Sequence, residues 1–187
     1  MATFRHLQKA LDPPLLTNAD GSPIIVQLTD VHNPLKAPFG SSAYNDPTAV
    51  RRNVCFRCDQ DLEEKIKRVD TYMSGYLKTH AERLFKNKAM TYKPILLTKD
   101  DYPSLIRCKI NTSGSKACRF WTHQFARCEM PDDLRLCGLV PRVDFKSLWI
   151  MGSDAGISLE VSDLLCDQIE ETCPFNNDTK NSFLSNI

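Results

Sequence analysis

Two short segments in the middle of the chain alternate apolar and polar residues with a period of two, which is the pattern of half-buried β-strands. The first covers residues 105–110 and the second covers residues 118–123, with a turn over residues 111–115 between them. The residues on the polar sides are Arg107, Lys109, Arg119, Trp121 and His123. We expect the two strands to pair as a hairpin, so that basic side chains and an indole share one sheet surface.

The rest of the pattern is that of a mainly β chain with one long helix. Apolar or alternating runs predict further strands at residues 24–28, 53–58, 92–97, 134–139, 145–151 and 157–161. From Leu62 to Leu84 apolar residues recur every three or four positions, after Asp59 or Asp61 as the N-cap. This spacing predicts an amphipathic helix. Residues 163–173 are compatible with a short C-terminal helix.

This order of elements fits an OB-like antiparallel barrel with the helix inserted at about residues 61–85. A β-sandwich or an α+β sheet with a covering helix would give similar patterning. We expect an N-terminal arm over residues 1–22, a single domain over residues 23–173 and a flexible C-terminal tail over residues 174–187.

The composition is ordinary for a globular protein, with 42% hydrophobic and 25% charged residues. No run of eighteen apolar residues is present, so we expect no membrane partner. The first thirty residues lack the apolar core of a secretory signal. We therefore expect an intracellular, reducing compartment, either nucleus or cytoplasm, including that of an infected host cell. There, the eight cysteines are expected to be free thiols.

The segment Cys55-Phe56-Arg57-Cys58 has the spacing of half a zinc knuckle or of a redox pair. In a strand, however, the thiols of Cys55 and Cys58 would point to opposite faces. Neither a second C-x-x-C nor a histidine pair at ligand spacing accompanies them. We therefore favour structural thiols over a zinc site, and we expect no cofactor.

The net charge of +1 hides an uneven distribution. Residues 51–146 hold 20 Lys and Arg against 12 Asp and Glu, whereas residues 152–179 hold seven Asp and Glu and no Lys or Arg. One explanation is chance together with a solvated terminal face. The other is a functional division, in which the acidic end contacts partner proteins or competes with nucleic acid for the basic surface.

The basic part of the chain predicts binding of single-stranded nucleic acid, because cations meet phosphates and flat rings stack on unpaired bases. The candidate contact residues are Arg51, Arg52, Arg57, Tyr102, Arg107, Lys109, Lys116, Arg119, Trp121 and His123. Phe39 is a further candidate for stacking. We expect Phe120 and Trp149 in the core, because Phe120 shares a face with Cys118 and Trp149 has apolar neighbours.

Catalytic motifs are missing from the sequence, which has no G-x-S-x-G, P-loop, G-x-G-x-x-G or H-E-x-x-H. We therefore expect no enzymatic activity. Two alternatives stay open. The first is a structural or interaction protein, viral or cellular, that uses the long loop at residues 32–50 as its partner surface. The second is a cysteine-dependent or zinc-bearing enzyme.

Several segments, taken in order, resemble one family of proteins. These are Pro38-Phe39-Gly40, then Arg52-Asn53-Val54-Cys55-Phe56, the amphipathic helix, Tyr102-Pro103-Ser104-Leu105, Leu148-Trp149-Ile150-Met151-Gly152 and Ile157-Ser158-Leu159-Glu160-Val161. Over residues 34–166 this order resembles the OB-fold single-stranded DNA-binding proteins of large DNA viruses and, more distantly, of T7-like phages.

The resemblance implies non-catalytic, sequence-independent binding of single-stranded DNA across the barrel face, in replication, recombination or repair. It implies Arg107, Lys109, Arg119 and Trp121 as binding-face positions. It also implies that the acidic C-terminal segment recruits replication proteins. RNA as the ligand and assembly into a homo-oligomer are further expectations.

Overall fold

The computed structural model describes residues 3–5, 15–43, 46, 48–85 and 90–168. The strands are β1 (Thr3–Arg5), β2 (Leu15–Thr17), β3 (Ile25–Gln27), β4 (Ser41–Ser42), β5 (Arg51–Arg57), β6 (Thr91–Lys93), β7 (Leu96–Lys99), β8 (Tyr102–Asn111), β9 (Arg119–Trp121), β10 (Arg127–Cys128), β11 (Cys137–Met151) and β12 (Asp154–Gln168). The helices are α1 (Gln60–Thr79) and α2 (Ala81–Phe85), and Leu134–Leu136 forms a 3-10 turn.

Strand β12 occupies the centre of the sheet, between β11 on one edge and β8 on the other. β11 and β12 form a long antiparallel hairpin that turns at Gly152, whose φ of 62° suits glycine. On its other edge β12 pairs with β6, β8 and β9, and these pairs are parallel. The barrel therefore combines antiparallel and parallel pairs.

The sheet closes through Leu35 and Lys36, which link its two sides. Leu35 and Leu139 of β11 exchange backbone hydrogen bonds of 2.8 and 2.9 Å, and the Arg57 N–H of β5 donates to the Lys36 carbonyl at 2.8 Å. This gives the predicted OB-like barrel with an inserted helix. Leu35 and Ala37 are buried, so this part of the segment at residues 32–50 belongs to the barrel rather than to a free loop.

The two strands with alternating polar residues, β8 and β9, do not form the predicted hairpin. Both lie along one edge of β12, and the Cys118 N–H donates to the Asn111 carbonyl at 2.8 Å. Residues 112–117 loop out between them, so that β9 continues the line of β8. Period-two alternation specifies which face a side chain occupies but does not specify the partner strand. The shared polar face is therefore present although the predicted pairing is wrong.

Helix α1 packs Leu62, Ile66 and Met73 into the barrel core. The Asp59 carboxylate caps it, accepting from the Leu62 N–H at 2.8 Å. The predicted single helix is two helices, because α1 ends at His80, whose half-buried ring lies 4.3 Å from that of Tyr76. In the described part of the chain, neither helix combines the length and apolarity needed to cross a membrane.

Residues 163–168 continue β12 and do not begin a helix, which corrects the sequence-based expectation. Leu164 and Cys166 are buried and Leu165 is not, so the period here is two. Residues 169–173 lie outside the described residues, as does the predicted tail. The predicted strand at residues 134–139 begins only at Cys137, after the 3-10 turn. Residues 15–17 of the predicted arm belong to the sheet through β11.

Phe120 is buried as predicted, but Trp149 is only half-buried and lies outside the core. Its ring covers Gly156 on the opposite strand of the β11–β12 hairpin. A Cβ atom at Gly156 would lie 2.6 Å from Cζ2 of that ring. The indole of Trp149 therefore packs on the backbone of Gly156 and not in the core.

The Asp70 carboxylate fastens α1 to the barrel. It accepts from the Tyr92 hydroxyl at 2.6 Å, from the Ile95 N–H at 2.8 Å and from the Leu96 N–H at 3.2 Å. Burial raises the pKa of Tyr92, and the hydrogen bond to Asp70 raises it further. These bonds hold together two segments that are more than twenty residues apart in sequence.

We expect Asp70→Ala to lower the free energy of unfolding by about 2–4 kcal/mol, because it leaves buried donors without an acceptor. Chemical denaturation followed by circular dichroism measures this. The matched control is Asp61→Ala on the exposed side of α1, where an exposed ion pair with Lys65 contributes about 0.5 kcal/mol at most. Equal losses in the two variants would contradict this role for Asp70.

Candidate nucleic-acid interface

One face of the sheet, directed away from the core, gathers basic and aromatic side chains from neighbouring strands. On β5, β8 and β9 it carries the odd-numbered residues, since even-numbered residues such as Val54, Ile106 and Phe120 are buried. We call this surface the polar face. Its members are Arg51, Asn53, Arg57, Arg107, Lys109, Arg119, Trp121, Arg142, Glu160 and Asp163.

The β8–β9 line orders the basic residues along the direction of β12. Lys109 pairs with Glu160 of β12, Arg119 with Asp163, and Trp121 with Leu165. At the rise of a β-strand, the line from Arg107 to Trp121 is about 20 Å long. The polar face is therefore an extended strip rather than a single pocket.

A bulge at Ser162 puts two acidic residues of β12 on this strip. Val161 pairs with Val143 and Asp163 pairs with Arg142, which leaves Ser162 as the extra residue. Without the bulge, Asp163 would point into the core. With it, Glu160 and Asp163 both point to the polar face, while Val161 and Leu164 stay buried.

Asp163 fixes the side chains of Arg119 and Trp121, two residues of β9. Arg119 Nε lies 2.7 Å from Oδ1 and Arg119 Nη2 lies 2.9 Å from Oδ2, and the Trp121 indole N–H donates to Oδ1 at 3.1 Å. Burial acts to raise the pKa of Asp163, but the hydrogen bonds from Arg119 and Trp121 outweigh it and the pKa lies below its ordinary value. Asp163 is thus a carboxylate at neutral pH, fixed to a guanidinium and an indole.

Glu160 is held in the same way, 7% exposed, at the centre of the strip. Lys146 Nζ lies 2.8 Å from Oε1, Asn111 Nδ2 donates to Oε1 at 2.8 Å, and Arg51 Nη2 lies 3.6 Å from Oε2. Lys146 reaches Glu160 from a second bulge, between Phe145 and Ser147 of β11.

The end of the strip beyond Asp163 opens into a groove of about 550 Å³. Its apolar walls are formed by Trp121, Phe125, Val31, Val140 and Leu165. Its polar side is formed by Gln27, Asp30, Arg119, Arg142 and Asp163. Apolar walls with a charged edge suit a nucleobase attached to a phosphate. The groove thus offers a place for a base next to the strip.

Phe125 is the functional candidate that the sequence did not reveal. It lies in the turn between β9 and β10, with φ of 60°, and is 68% exposed. A left-handed backbone is unfavourable for a bulky residue, and such conformations concentrate at ligand sites. In the sequence, Phe125 is an isolated aromatic in a polar loop, so neither alternation nor charge points to it.

The end of the strip that lies away from the groove, on β5 and β8, carries exposed cations. Arg57 and Arg107 are exposed, and neither has an ion-pair partner among the described residues. Lys109 is half-buried and its Nζ donates to Asn53 Oδ1 at 2.6 Å. Burial lowers the pKa of Lys109, and the charges of Arg51 and Arg107 lower it further. The positive charges of Lys109, Arg51 and Arg107 therefore lie close together here.

Four predicted contact residues are not members of the polar face, although Lys116 lies next to it. Arg52 points to the other side of β5, is half-buried and donates to the Ala49 carbonyl at 3.2 Å, so its expected place on the face is wrong. Successive residues of a strand point to opposite faces, so Arg51 and Arg52 of β5 cannot both lie on the polar face. Lys116 is exposed in the loop beside Arg119 and Glu160. Exposed His123 has Nδ1 3.5 Å from Asp167 Oδ1.

Tyr102 is the fourth of these residues, at the start of β8. It is 68% exposed and lines a second groove, of about 350 Å³, together with exposed Phe39. Lys99 Nζ lies 5.5 Å from the centre of the Tyr102 ring. The two predicted stacking residues other than Trp121 are thus neighbours of each other, at the other end of β8.

The cysteines offer no sign of a metal centre in the described residues. Cys55, on β5, is half-buried, and Cys58, directly after β5, is buried. Burial raises the pKa of Cys58 to about 12, so the thiol is protonated at neutral pH. Across the described ranges, no group of three or more His, Cys, Asp or Glu is arranged to hold a metal ion.

Comparison with solved structures finds similarity to phage proteins. The single-stranded DNA-binding protein from bacteriophage Enc34 has a TM-score of 0.50 and 13% identity, over 97% of this chain and 99% of that chain. Its complex with single-stranded DNA gives 0.49 and 11%, over 88% and 95%. The gp2.5 single-stranded DNA-binding protein of bacteriophage T7 gives 0.49 and 11%, over 89% and 98%.

At such low identity the likeness to the first Enc34 structure shows a shared fold. The predicted resemblance to OB-fold proteins of this kind is confirmed at that level. No protein-family model matches the sequence, and no curated protein matches it.

The acidic end of the sequence is mostly a part of the barrel. Of its seven acidic residues, Asp154, Glu160, Asp163 and Asp167 lie on β12 and each has a basic partner. Glu170, Glu171 and Asp178 lie outside the described residues. On β12 the acidic residues therefore belong to ion pairs of the barrel, which neither of the two explanations predicted.

Asp144 of β11 is a half-buried carboxylate that pairs with Glu160 of β12. It sits beside Lys116, Arg119 and Glu160, and its buried Oδ1 has no hydrogen-bond partner among the described residues. Burial raises the pKa of Asp144; the charge of Lys146 lowers it and that of Glu160 raises it again. A carboxylate with a raised pKa destabilises the fold above that pKa, and the destabilisation fades as protonation occurs at lower pH.

We expect Asp144→Asn to raise the free energy of unfolding at pH 7 by about 1 kcal/mol, because it removes an unpaired buried charge. The gain should shrink as the pH falls through the raised pKa of the wild-type carboxyl and vanish near pH 4. Denaturation of both proteins at pH 4, 5.5 and 7 measures it. Asp132→Asn, at an exposed position, serves as the control, and a gain independent of pH would contradict the argument.

Proposed function

We propose that the protein binds single-stranded DNA without sequence preference and without catalysis, in replication, recombination or repair. The observation that carries this proposal is the polar face, where exposed Arg57 and Arg107 lead along β8 and β9 to Trp121 and the groove beside it. Cations along a strip and a flat ring at its end are what a single strand requires. The shared fold with the Enc34 single-stranded DNA-binding protein supports the proposal.

The direct test is a titration of labelled oligo-dT at two salt concentrations. Electrostatic binding to phosphates weakens steeply with salt, with a slope of log K against log salt of about −0.7 for each phosphate contact on single strands. Binding that disappears at high salt supports the proposal, whereas no binding at low salt overturns it. A parallel titration with oligo-U separates DNA from RNA as the ligand.

The proposal also includes recruitment of partner proteins and assembly into a homo-oligomer. Recruitment of replication proteins, as the resemblance implies, would depend on the acidic residues Glu170, Glu171 and Asp178 rather than on those of β12. The latter are engaged with basic side chains of the barrel. A homo-oligomer stays a prediction, which sedimentation of the full chain tests.

We expect Arg107→Gln to weaken oligo-dT binding by about three- to tenfold at low salt and to make the salt slope shallower by about 0.7, because one phosphate contact is lost. The matched control is Arg68→Gln, which removes an exposed positive charge from α1 on the other side of the barrel. Fluorescence anisotropy measures both. Equal effects of the two variants would show that Arg107 acts only through net charge.

Trp121 should report binding through its own fluorescence. We expect oligo-dT to quench the emission of a Trp149→Phe variant, which keeps Trp121, and to leave a Trp121→Phe variant nearly unquenched. Replacing Trp121 by Leu should cost about 1–3 kcal/mol of binding free energy, the usual contribution of one stacked base. Quenching that survives in Trp121→Phe would place the bound bases elsewhere.

A further inference from the structure

The groove that Tyr102 lines continues the polar face beyond its exposed cations, and we call it the Tyr102 groove. Leu105 also lines it and lies two residues before Arg107 on β8, so both side chains point to the same side of the sheet. The register partners of Leu105 are Arg57 on β5 and Leu97 on β7, and Leu97 is a further part of the groove. The Tyr102 groove therefore begins directly beside Arg57 and Arg107.

The lining of the Tyr102 groove suits a nucleobase. Phe39 and Tyr102 expose their rings within the one groove, and exposed apolar surface gathered in this way is typical of a binding site. Lys99 Nζ lies 5.5 Å from the centre of the Tyr102 ring and brings a positive charge for a phosphate. The acidic residues of the adjoining turn, Asp100 and Asp101, do not line the groove. Flat rings with a cation beside them bind bases of any sequence by stacking.

A second aromatic groove, lined by Trp121 and Phe125, opens at the other end of the same strip, and we call it the Trp121 groove. From Arg107 to Trp121 the strip is about 20 Å long, and the two residues from Arg107 to Leu105 add about 7 Å. The two grooves are therefore about 27 Å apart. Arg107 and Lys109 lie between them on β8, so positive side chains line the path from one groove to the other.

We propose that the Tyr102 groove is a second base-binding site, so that one single strand places bases in both grooves and its phosphates on the cations between them. This inference rests on the proposed function. Stacked nucleotides advance about 3.4 Å each along a strand, so a stacked strand spans the distance between the grooves with about nine nucleotides. A strand extended to twice that spacing needs about five. Both lengths lie within the range of about 4–16 nucleotides that one OB fold binds.

Two base-binding sites on one strand make the affinity depend on the length of the strand. Once a base occupies one groove, the other groove meets a base of the same strand at a high effective concentration, provided that the strand reaches it. Four nucleotides span about 20 Å even when extended, and they occupy one groove only. Twelve nucleotides reach both grooves, and their affinity contains both contacts.

The test measures the affinity of the full chain for oligo-dT of four and of twelve nucleotides at low salt, by fluorescence anisotropy, and takes the ratio of the two affinities. We expect Tyr102→Leu to lower this ratio by about fivefold or more, because one stacked base is lost from the longer strand. Trp121→Leu should also lower it, since either change leaves a single groove. The matched control is Tyr72→Leu, which removes an exposed ring from α1, away from the polar face, and should leave the ratio unchanged.

Two further variants separate stacking from a structural role of Tyr102. Tyr102→Phe keeps the ring and should retain the wild-type ratio, and a ratio lowered as much as in Tyr102→Leu would assign the effect to the hydroxyl and overturn the inference. Phe39→Leu changes the other ring of the groove, on a different segment of the chain, and should lower the same ratio. It keeps the inference testable if Tyr102→Leu does not fold, which thermal unfolding of each variant shows.

The outcomes separate this inference from the proposed function. If wild-type protein binds neither oligonucleotide nor any longer oligo-dT, the proposed function fails. If it binds them, and the ratio of the two affinities in Tyr102→Leu and Phe39→Leu equals that in Tyr72→Leu, the inference alone is overturned.

Discussion

The pairing of β12 with strands on both of its edges is the constraint on which the candidate interface depends. Its antiparallel edge binds β11 along the whole hairpin, and its parallel edge aligns β8 and β9 end to end. Because both strands share one edge, Arg107, Lys109, Arg119 and Trp121 come into a single line. The bulge at Ser162 then adds Asp163 to the same side, where it fixes the guanidinium and the indole.

That arrangement couples stability to recognition. Asp163 accepts from Arg119 and Trp121, and Glu160 accepts from Asn111 and contacts Lys146, so the carboxylates orient the groups around them. Each buried carboxylate depends on these partners, since an unpaired buried charge is strongly destabilising. The same contacts reduce the number of cations free for phosphate. The ion pairs thus fix the positions of the side chains on this surface and lower its affinity for phosphate.

Sequence patterns predict the faces of this protein better than its strand partners. Alternation correctly places Arg107, Lys109, Arg119 and Trp121 opposite buried neighbours such as Ile106 and Phe120, because a period of two fixes direction. It contains no information on whether β9 turns back on β8 or continues it. The sequence pattern also does not predict bulges. For this reason residues 163–168 resemble the start of a helix. The role of Asp163 follows only from the register of β12.

The charge distribution illustrates the same limit. A run of acidic residues after a basic segment suggests a tail with its own function, because sequence separation hides spatial adjacency. In the barrel, Glu160 of the central strand pairs with Lys109 of β8, and Asp163 pairs with Arg119 of β9 and with Arg142 of β11. Opposite charges on adjacent strands stabilise one register and disfavour others. The acidic residues on β12 are therefore part of the structure of the binding surface and not a separate competitor for it.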